Sequence, residues 1–579
     1  MKIILLAINA RYTHTNLAVY YLRNYLDRRK YQSLILEKTI QDPVWEIISA
    51  IKDFNPAVLC LSCYIWNQKQ NQEIISNIKK ILPKLIIVCG GPDCSYNASE
   101  WLIKFPQIDY LIKGPGEKSF DELQKRNFHS SQKIYQLPNF PPQFLKTAYT
   151  KKDLINCQDR YIYYEASRGC PFQCSYCISS LVDQDDVYKD FSQVKKELVF
   201  ILKHKPLLIK FIDRSFNVHT ILAEKIWDFI ANLNTNTKFH FEIHPLFLNQ
   251  MQLRILAQMP PQRIQLEVGI QTIHDDTLRL INRIGRWNDI KKNLHSLTKL
   301  KHIHLHFDML IGLPNESFAM CKSSFNKIFA LCPDHFQIGF LKLLPGTAIA
   351  QEIDLWGYQY QEHAPYRVFS SHHLSFVQME KFSLVEMAVN IIYNSQIMVN
   401  FCWALAHLRE WNSLFFHEQE YHHLKQTTTI SEEKKNKLTS LPLLFTFYYS
   451  FGLFLRKNNI NKATSERKKT FHLMVQFLET QDYIAMNREG KEFLLDFLRY
   501  DWFLGSNTHF YPDFLEAKHC DTLKKEIYLV VKRNLQNRGY RKELITNTVF
   551  FQAKSKLFCQ KILHGTESWI QINGDIINI

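Results

Sequence analysis

Along the first 130 residues, apolar runs of strand length alternate with segments whose apolar positions recur at helical spacing. "KIILLAI" is a short apolar strand, "LAVYYLRNYLDRR" has helical periodicity, "AVLCLSCY" is a further strand and "NQEIISNIKKIL" a further amphipathic helix. "KLIIVCGGPDCS" then runs a strand into a glycine turn, and "IDYLIKGPGEKSFDELQK" runs a strand into a second glycine turn and a helix. This alternation predicts an α/β domain with a parallel sheet between helices, whose ligand sits at the C-terminal ends of the strands. The loops at those ends are "NARYTHTN", "SCYIW", "GGPD" and "GPGE".

"SSQKIYQLPNFPPQFLKTAYTKK" is polar and carries prolines, so it reads as a linker. Beyond it the strands "IYYEASRG", "LLIKFIDRSF", "KFHFEIHP", "RIQLEVGIQT", "HIHLHFDMLIGLP" and "HFQIGFLKLLPGT" are separated by helical text. Six such repeats predict a partial (βα)6 barrel of TIM type, with its chemistry at the C-terminal strand ends. After about residue 355 the strand signal gives way to helical, aromatic-rich text such as "KEFLLDFLRYDWFLG". The expected organisation is a Rossmann-like domain over 1–130, a linker over 131–155, the barrel over 156–355 and a mainly α domain over 356–579.

The N-terminal stretch "MKIILLAINARYTH" is too short in its apolar part for a signal-peptide core, and thus a cytoplasmic protein is expected. "LTSLPLLFTFYYSFGLFL" at 438–455 approaches bilayer length, but Pro442, Gly452 and several hydroxyls favour a buried helix, and no membrane insertion is expected. The formal charge of +16 raises the question of nucleic acid. Residues 381–579 hold 26 Lys+Arg against 20 Asp+Glu, so the excess is spread along the chain. "ERKK" (466–469) and "RGYRK" (538–542) are phosphate-contact candidates or solvated helix faces.

Of 13 cysteines, three lie within eight residues in "EASRGCPFQCSYCISS": Cys170, Cys174 and Cys177. A reducing compartment argues against disulfides. Structural zinc sites take two close pairs of ligands, and no second pair follows this triplet. Three thiolates on one loop suit three irons of a cubane cluster and leave the fourth iron open. Zinc and plain core cysteines stay as the alternatives.

"SRGCPFQCSYC" resembles the signature of the radical S-adenosylmethionine (SAM) superfamily, which holds a 4Fe-4S cluster with C-x3-C-x2-C. The resemblance implies that Cys170, Cys174 and Cys177 ligate the cluster and that Tyr176 contacts the SAM adenine. It also implies cleavage of SAM to a 5′-deoxyadenosyl radical, and a reductant such as flavodoxin or ferredoxin. Asp213 and Arg214 in "FIDRSFN" are then candidates for holding the SAM methionine, with a barrel-rim ion pair as the alternative. Glu267 and Gln271 in "LEVGIQT" would line the cofactor pocket, and Gly312 in "MLIGLPNES" would let the backbone approach SAM.

An α/β domain with "GGPD" and "GPGE" loops ahead of such a barrel is similar to the cobalamin-binding domain of the cobalamin-dependent branch. Gly90, Gly91, Gly114, Gly116, Glu117 and Ser62 are the implied corrin contacts. Cobalamin proteins often carry D-x-H-x-x-G after the first strand. Here Tyr12, His14 and Leu17 stand at that spacing, so His14 is either a polar loop contact or an axial ligand lacking the aspartate that fixes its tautomer. A Rossmann domain without a cofactor is the alternative.

The resemblance thus implies a cobalamin-dependent radical SAM enzyme acting by methylation or rearrangement at an unactivated carbon of a small molecule, lipid, peptide or RNA. An RNA-base-modifying enzyme would use aromatics such as Tyr500 and Trp502 to stack bases. A non-catalytic iron–sulfur protein, binding or redox-sensing, is the third reading.

Overall fold

The computed structural model describes residues 1–138, 140, 145, 147–181, 187–406, 443–460, 466–480, 488–505, 512–515, 549–552, 568–572 and 575–578. They form two compact units, Met1–Cys321 with Gln337–Met379 and Lys322–Phe336 with Glu380–Ile579.

The first unit begins with a sheet of β1 (Lys2–Asn9), β2 (Gln32–Thr39), β3 (Val58–Ser62), β4 (Ile86–Gly90), β5 (Tyr110–Ile112) and β6 (Ile134–Tyr135). Its order is β2-β1-β3-β4-β5-β6, parallel throughout. β1 is buried along nearly its whole length, as its unbroken apolar run requires of a strand covered on both faces. β2 escapes detection in the sequence because it is an edge strand, only half-buried and correspondingly mixed in composition. β6 lies in the stretch expected to be a linker; Ile134 and Tyr135 pair with Leu111 and Ile112 instead. The strand order reverses between β1 and β3, so the loops after these two strands diverge and open a crevice.

The chain then forms β7 (Ile162–Tyr164), the short pair β8 (Ser167–Arg168) and β9 (Val187–Tyr188), and β10 (Leu208–Phe211), β11 (Lys238–Ile243), β12 (Ile264–Gln271), β13 (His304–Ile311) and β14 (His335–Phe340). The six longer strands make an open sheet in the order β14-β13-β12-β11-β10-β7, the partial barrel that the six repeats predict. Burial alternates strictly along β12 and β13. Leu266, Val268, Leu305 and Phe307 are buried on one face, while Glu267, His306 and Asp308 face the lumen half-buried. Behind β10 and β11 the rings of Phe211 and Phe216 lie 4.4 and 4.3 Å from that of Phe241, with Trp227 alongside. A hairpin of β15 (Gln359–Tyr360) and β16 (Val368–Ser370) follows the barrel.

In the second unit the helical text gives Val399–Ala406, Leu443–Lys457, Arg467–Glu479 and Arg488–Gly505. Helix Leu443–Lys457 buries Phe445, Phe447, Tyr448 and Phe451, and Gly452 lets it pack closely, since a Cβ there would stand 2.5 Å from the Leu384 carbonyl oxygen. Pro442 lies outside the described residues. No helix of the described residues is long and apolar enough to cross a membrane. The mainly α expectation misses a three-stranded antiparallel sheet, β17 (Val549–Gln552), β18 (Ser568–Ile572) and β19 (Asp575–Asn578). Trp502 is buried edge-on against Phe471, so it cannot stack a base. The side chain of Tyr500 and the cluster 538–542 lie outside the described residues. Within "ERKK", Arg467 donates to the Asp501 carbonyl, and Lys468 and Lys469 are exposed.

Phe241 is fully buried at the centre of the aromatic layer. Phe241→Ala should lower the unfolding free energy by about 3–5 kcal/mol in a denaturant titration, whereas exposed Lys238→Ala should change it by no more than about 0.5 kcal/mol.

Candidate functional site

β7 delivers the chain to the cysteine loop, and its neighbour β10 fixes the way in. Two residues beyond β10, the buried Asp213 carboxylate accepts the backbone N–H groups of Ala166 (3.1 Å) and Ser167 (2.5 Å) and the Ser167 hydroxyl (2.5 Å). Asp213 is therefore a support of β8 and does not line the cavity described below, in place of the expectation that it holds the SAM methionine. Burial pushes its carboxyl up to about 6, with the three hydrogen bonds pulling it back. Arg168 lies beside it and donates to Glu165 and Glu117 together.

Cys170 and Cys174 are buried with Phe172, and Tyr176, Cys177, Val218 and Phe247 pack against them. Burial raises the thiols of Cys170 and Cys174. Arg283 opposes this at Cys174, its Nη1 lying 3.9 Å from Sγ and 3.5 Å from the Tyr176 hydroxyl. A guanidinium beside a buried thiol favours the thiolate that a metal requires. Among the described residues, the group of three ligating side chains with atoms within 4.8 Å of one another is Glu267, His306 and Asp308. Cys170, Cys174 and Cys177 stand on one loop, the first two buried and the third half-buried. Three thiolates on one loop suit three irons of a cubane iron–sulfur cluster and leave the fourth iron open.

Beside this loop a cavity of about 730 Å³ joins the C-terminal ends of the first sheet to the barrel lumen. Its size lies in the upper part of the range for small-molecule sites. Its apolar lining includes Leu5, Cys60 and Val88 of the sheet together with Leu17, Leu22 and Phe120. Its polar lining includes Tyr163, Lys210, Arg214, Glu242 and Glu267. Tyr64 and Trp66, stacked at 4.3 Å, also line it from the loop after β3, and Trp66 Nε1 donates to the Ile8 carbonyl (3.1 Å).

The cavity gathers His14, Ser62, Gly90, Gly91, Gly114, Gly116, Glu117, Arg214 and Glu267. The His14 Nδ1 is hydrogen-bonded to the Tyr163 hydroxyl; burial, Lys210, Arg11 and Arg160 lower its pKa, so the imidazole is neutral at pH 7. The Ser62 hydroxyl donates to the Leu6 carbonyl and accepts from Asn16. Gly114, at φ 75°, has nothing within 4 Å of where a Cβ would point, as a close ligand approach requires. Gly91 differs: at φ 111° its Cβ would stand 2.5 Å from the Cys63 carbonyl oxygen, so protein packing accounts for the glycine. The Glu117 carboxylate is engaged by Arg168, which makes it an ion-pair partner of the barrel in place of a free corrin contact. Arg214 stands 3.5 Å from both carboxylate oxygens of Glu242. Glu267 stands 3.0 Å from His240 Nε2. Burial works against ionisation of Glu267, but His240, His306 and Lys210 hold its carboxyl below the usual range.

Cys170, Cys174, Cys177, Tyr176, Asp213, Gln271 and Gly312 do not line the cavity. Gln271 closes β12 at φ 69°, its amide folded back toward Gly269. Gly312 turns at φ 95°, its missing side chain faces Leu341 and Met379 at an ordinary contact distance of 3.4 Å, and the Tyr358 hydroxyl donates to its carbonyl. Sequence reasoning misses Arg283, which stands in a loop without a pattern, and Lys210 and Glu242, whose signal is legible: they are polar positions of period two within "LIKF" and "KFHFEI".

Asp213 titrates near 6 in the folded chain against 3.8 ordinarily, so folding favours its protonated form. Its stabilising contribution is present below pH 4 and is lost as pH rises through 6. The unfolding free energy of the protein minus that of Asp213→Asn should therefore fall by up to about 3 kcal/mol between pH 4 and pH 7. A difference independent of pH in denaturant titrations would contradict this.

Residues 3–124 match the family model for the B12 binding domain, residues 164–328 that for the radical SAM superfamily, and residues 354–441 and 439–564 that for a protein of unknown function (DUF4080). The chain is 22% identical over 309 residues to the cobalamin-dependent radical SAM methyltransferase TokK of Streptomyces tokunonensis. It is equally similar, again over 309 residues, to the 2-(S-pantetheinyl)-carbapenam-3-carboxylate methyltransferase of Streptantibioticus cattleyicolor. In each case the match spans 48% of this chain and 45% of the relative. Among solved structures, the cobalamin-dependent SAM radical enzyme OxsB, with aqua-cobalamin and SAM bound, aligns over 86% of this chain and 83% of its own (TM-score 0.55, 12% identity). The radical SAM methyltransferase TsrM of Kitasatospora setae, with cobalamin and a [4Fe-4S] cluster bound, aligns over 63% and 78% (TM-score 0.53, 14% identity). The cysteine loop after the first barrel strand thus lies within the radical SAM match, and the sheet-end crevice ahead of it lies within the B12 binding match.

Proposed function

We propose that the chain is a cobalamin-dependent radical SAM methyltransferase, with a 4Fe-4S cluster on Cys170, Cys174 and Cys177, SAM in the lumen beside Arg214 and Glu267, and cobalamin in the crevice of the first sheet. The observation that carries this reading is the single cavity that joins the crevice to the lumen beside the cysteine loop. The residues fit each group. The three thiols stand on one loop with Arg283 beside Cys174, the apolar lining of Leu5, Cys60, Val88, Leu17 and Phe120 suits a large cofactor, and Gly114 leaves room for close approach. The names of the methyltransferase relatives support methyl transfer over rearrangement. Bound together, the three groups supply reductive SAM cleavage and a transferable methyl group, with electrons from an external donor.

The protein's own contributions follow from its geometry. Arg283 places a positive charge against Cys174 and Tyr176. Asp213 holds the approach to Cys170 through Ser167. Arg214 and Glu242, at 3.5 Å, can part to admit a zwitterionic group, because the pair is half open to the cavity. The polar lumen wall of Lys210, Glu242 and Glu267 suits a substrate with hydrogen-bonding groups. A cluster kept only for redox sensing needs no such cavity.

Anaerobic reconstitution with iron, sulfide and hydroxocobalamin should load about four irons and one cobalt per chain and release 5′-deoxyadenosine from SAM under reductant. Cys174→Ala should lose both the cluster and SAM cleavage and still take up cobalamin when it is supplied in excess. Bound zinc with no cleavage in the unaltered chain would sink the reading.

A further inference from the structure

Arg168 stands two residues before Cys170 and donates four hydrogen bonds to two carboxylates. Its Nε and Nη2 reach Glu165 at 2.9 and 2.8 Å, and its Nη1 and Nη2 reach Glu117 at 3.0 and 2.8 Å. The three side chains are only 14%, 7% and 8% exposed for Arg168, Glu165 and Glu117. Glu117 begins helix Glu117–Lys125 directly behind the Gly114–Gly116 turn, where Gly114 faces open space. Gly169, at φ 102°, turns the chain from Arg168 into the first cysteine. Gly114, Glu117, Arg168 and Gly169 all border the cavity. One guanidinium therefore ties the loop against which a corrin would rest to the loop that carries the first thiol.

Planar bidentate pairing on both sides gives this tie a fixed geometry that a lysine could not reproduce. A buried guanidinium stripped of one carboxylate also pays a desolvation cost, so a shift of the Glu117 turn is resisted at Arg168. We propose that Arg168 is a positioning residue coupling the two cofactor sites, so that a filled corrin crevice orders the cysteine loop and an assembled cluster orders the Gly114–Glu117 turn. The inference rests on the functional reading above. Coupling of this kind is reciprocal in free energy: each cofactor raises the affinity for the other by the same factor. A purely structural ion pair would change both affinities without making either depend on the other site.

The test is the Kd of hydroxocobalamin, by absorbance titration of the full chain with its cluster assembled and again after the iron has been stripped. The unaltered chain should bind at least about fivefold more weakly without the cluster, at the low end of ordinary allosteric coupling. Glu117→Gln, which keeps the shape and removes the charge, should still bind cobalamin with that ratio reduced to near one. Arg168→Lys should do the same, which covers the case of a Glu117 variant that fails to fold; thermal unfolding monitors the fold of each. Glu165→Gln keeps the Arg168–Glu117 pair and should keep most of the ratio. A ratio of one in the unaltered chain, or an unchanged ratio in both Glu117→Gln and Arg168→Lys, overturns the coupling alone. Failure of the unaltered chain to bind cobalamin at all overturns the functional reading and the coupling with it.

Discussion

The placement of the first sheet against the barrel depends on buried guanidinium–carboxylate pairs that cross from one to the other. Arg168 binds Glu117, Arg160 binds Glu37 at 2.5 Å, and Arg23 binds Asp153 at 2.6 Å. Each pair has side chains at most 16% exposed, where an uncompensated charge is costly and breaking one partner typically costs about 3–5 kcal/mol. Such pairs are poor sources of net stability but good sources of fixed geometry. They hold the C-terminal ends of two parallel sheets around one cavity, and the cysteine loop lies at its side because Arg168 is part of it.

The second constraint is the open barrel. A closed eight-stranded barrel fills its interior with apolar side chains in layers. Here six strands leave the lumen accessible, and the inward positions of β10 to β13 are Lys210, His240, Glu242, Glu267, His306 and Asp308. Burial raises the Asp308 carboxyl to about 6, and the adjacent carboxylate of Glu267 pushes the same way against His306. A charged lumen of this kind is stable only with pairing such as His240–Glu267 and His306–Asp308, and it reserves the interior for polar guests.

Much of this is legible in the sequence. The strands of the first sheet that bury both faces appear as unbroken apolar runs, and all six barrel strands are found where their alternation places them. Edge strands are not legible: β2 and β6 bury too little to imprint a pattern, and three-residue β5 is marked chiefly by the glycines behind it. Among the site residues, the motif cysteines and the glycine-bearing loops stand out by spacing. The roles of neighbouring acids do not, because an acid's role depends on its partner. Asp213 supports the backbone of Ala166 and Ser167, and Glu117 binds Arg168, across 47 and 51 residues of sequence. Gly91 shows the same limit, since a glycine required by a protein neighbour looks identical in sequence to one required by a ligand.

The most direct measurement is the magnetic interaction between the two metal centres in one chain. With the cluster reduced and cobalamin in its paramagnetic Co(II) state, pulsed electron paramagnetic resonance at low protein concentration should detect dipolar coupling and enhanced relaxation of the cobalt signal, both vanishing when the cluster is oxidised. That result follows if a single cavity serves both sites. Two fully loaded centres whose spectra are the simple sum of the isolated signals would contradict it.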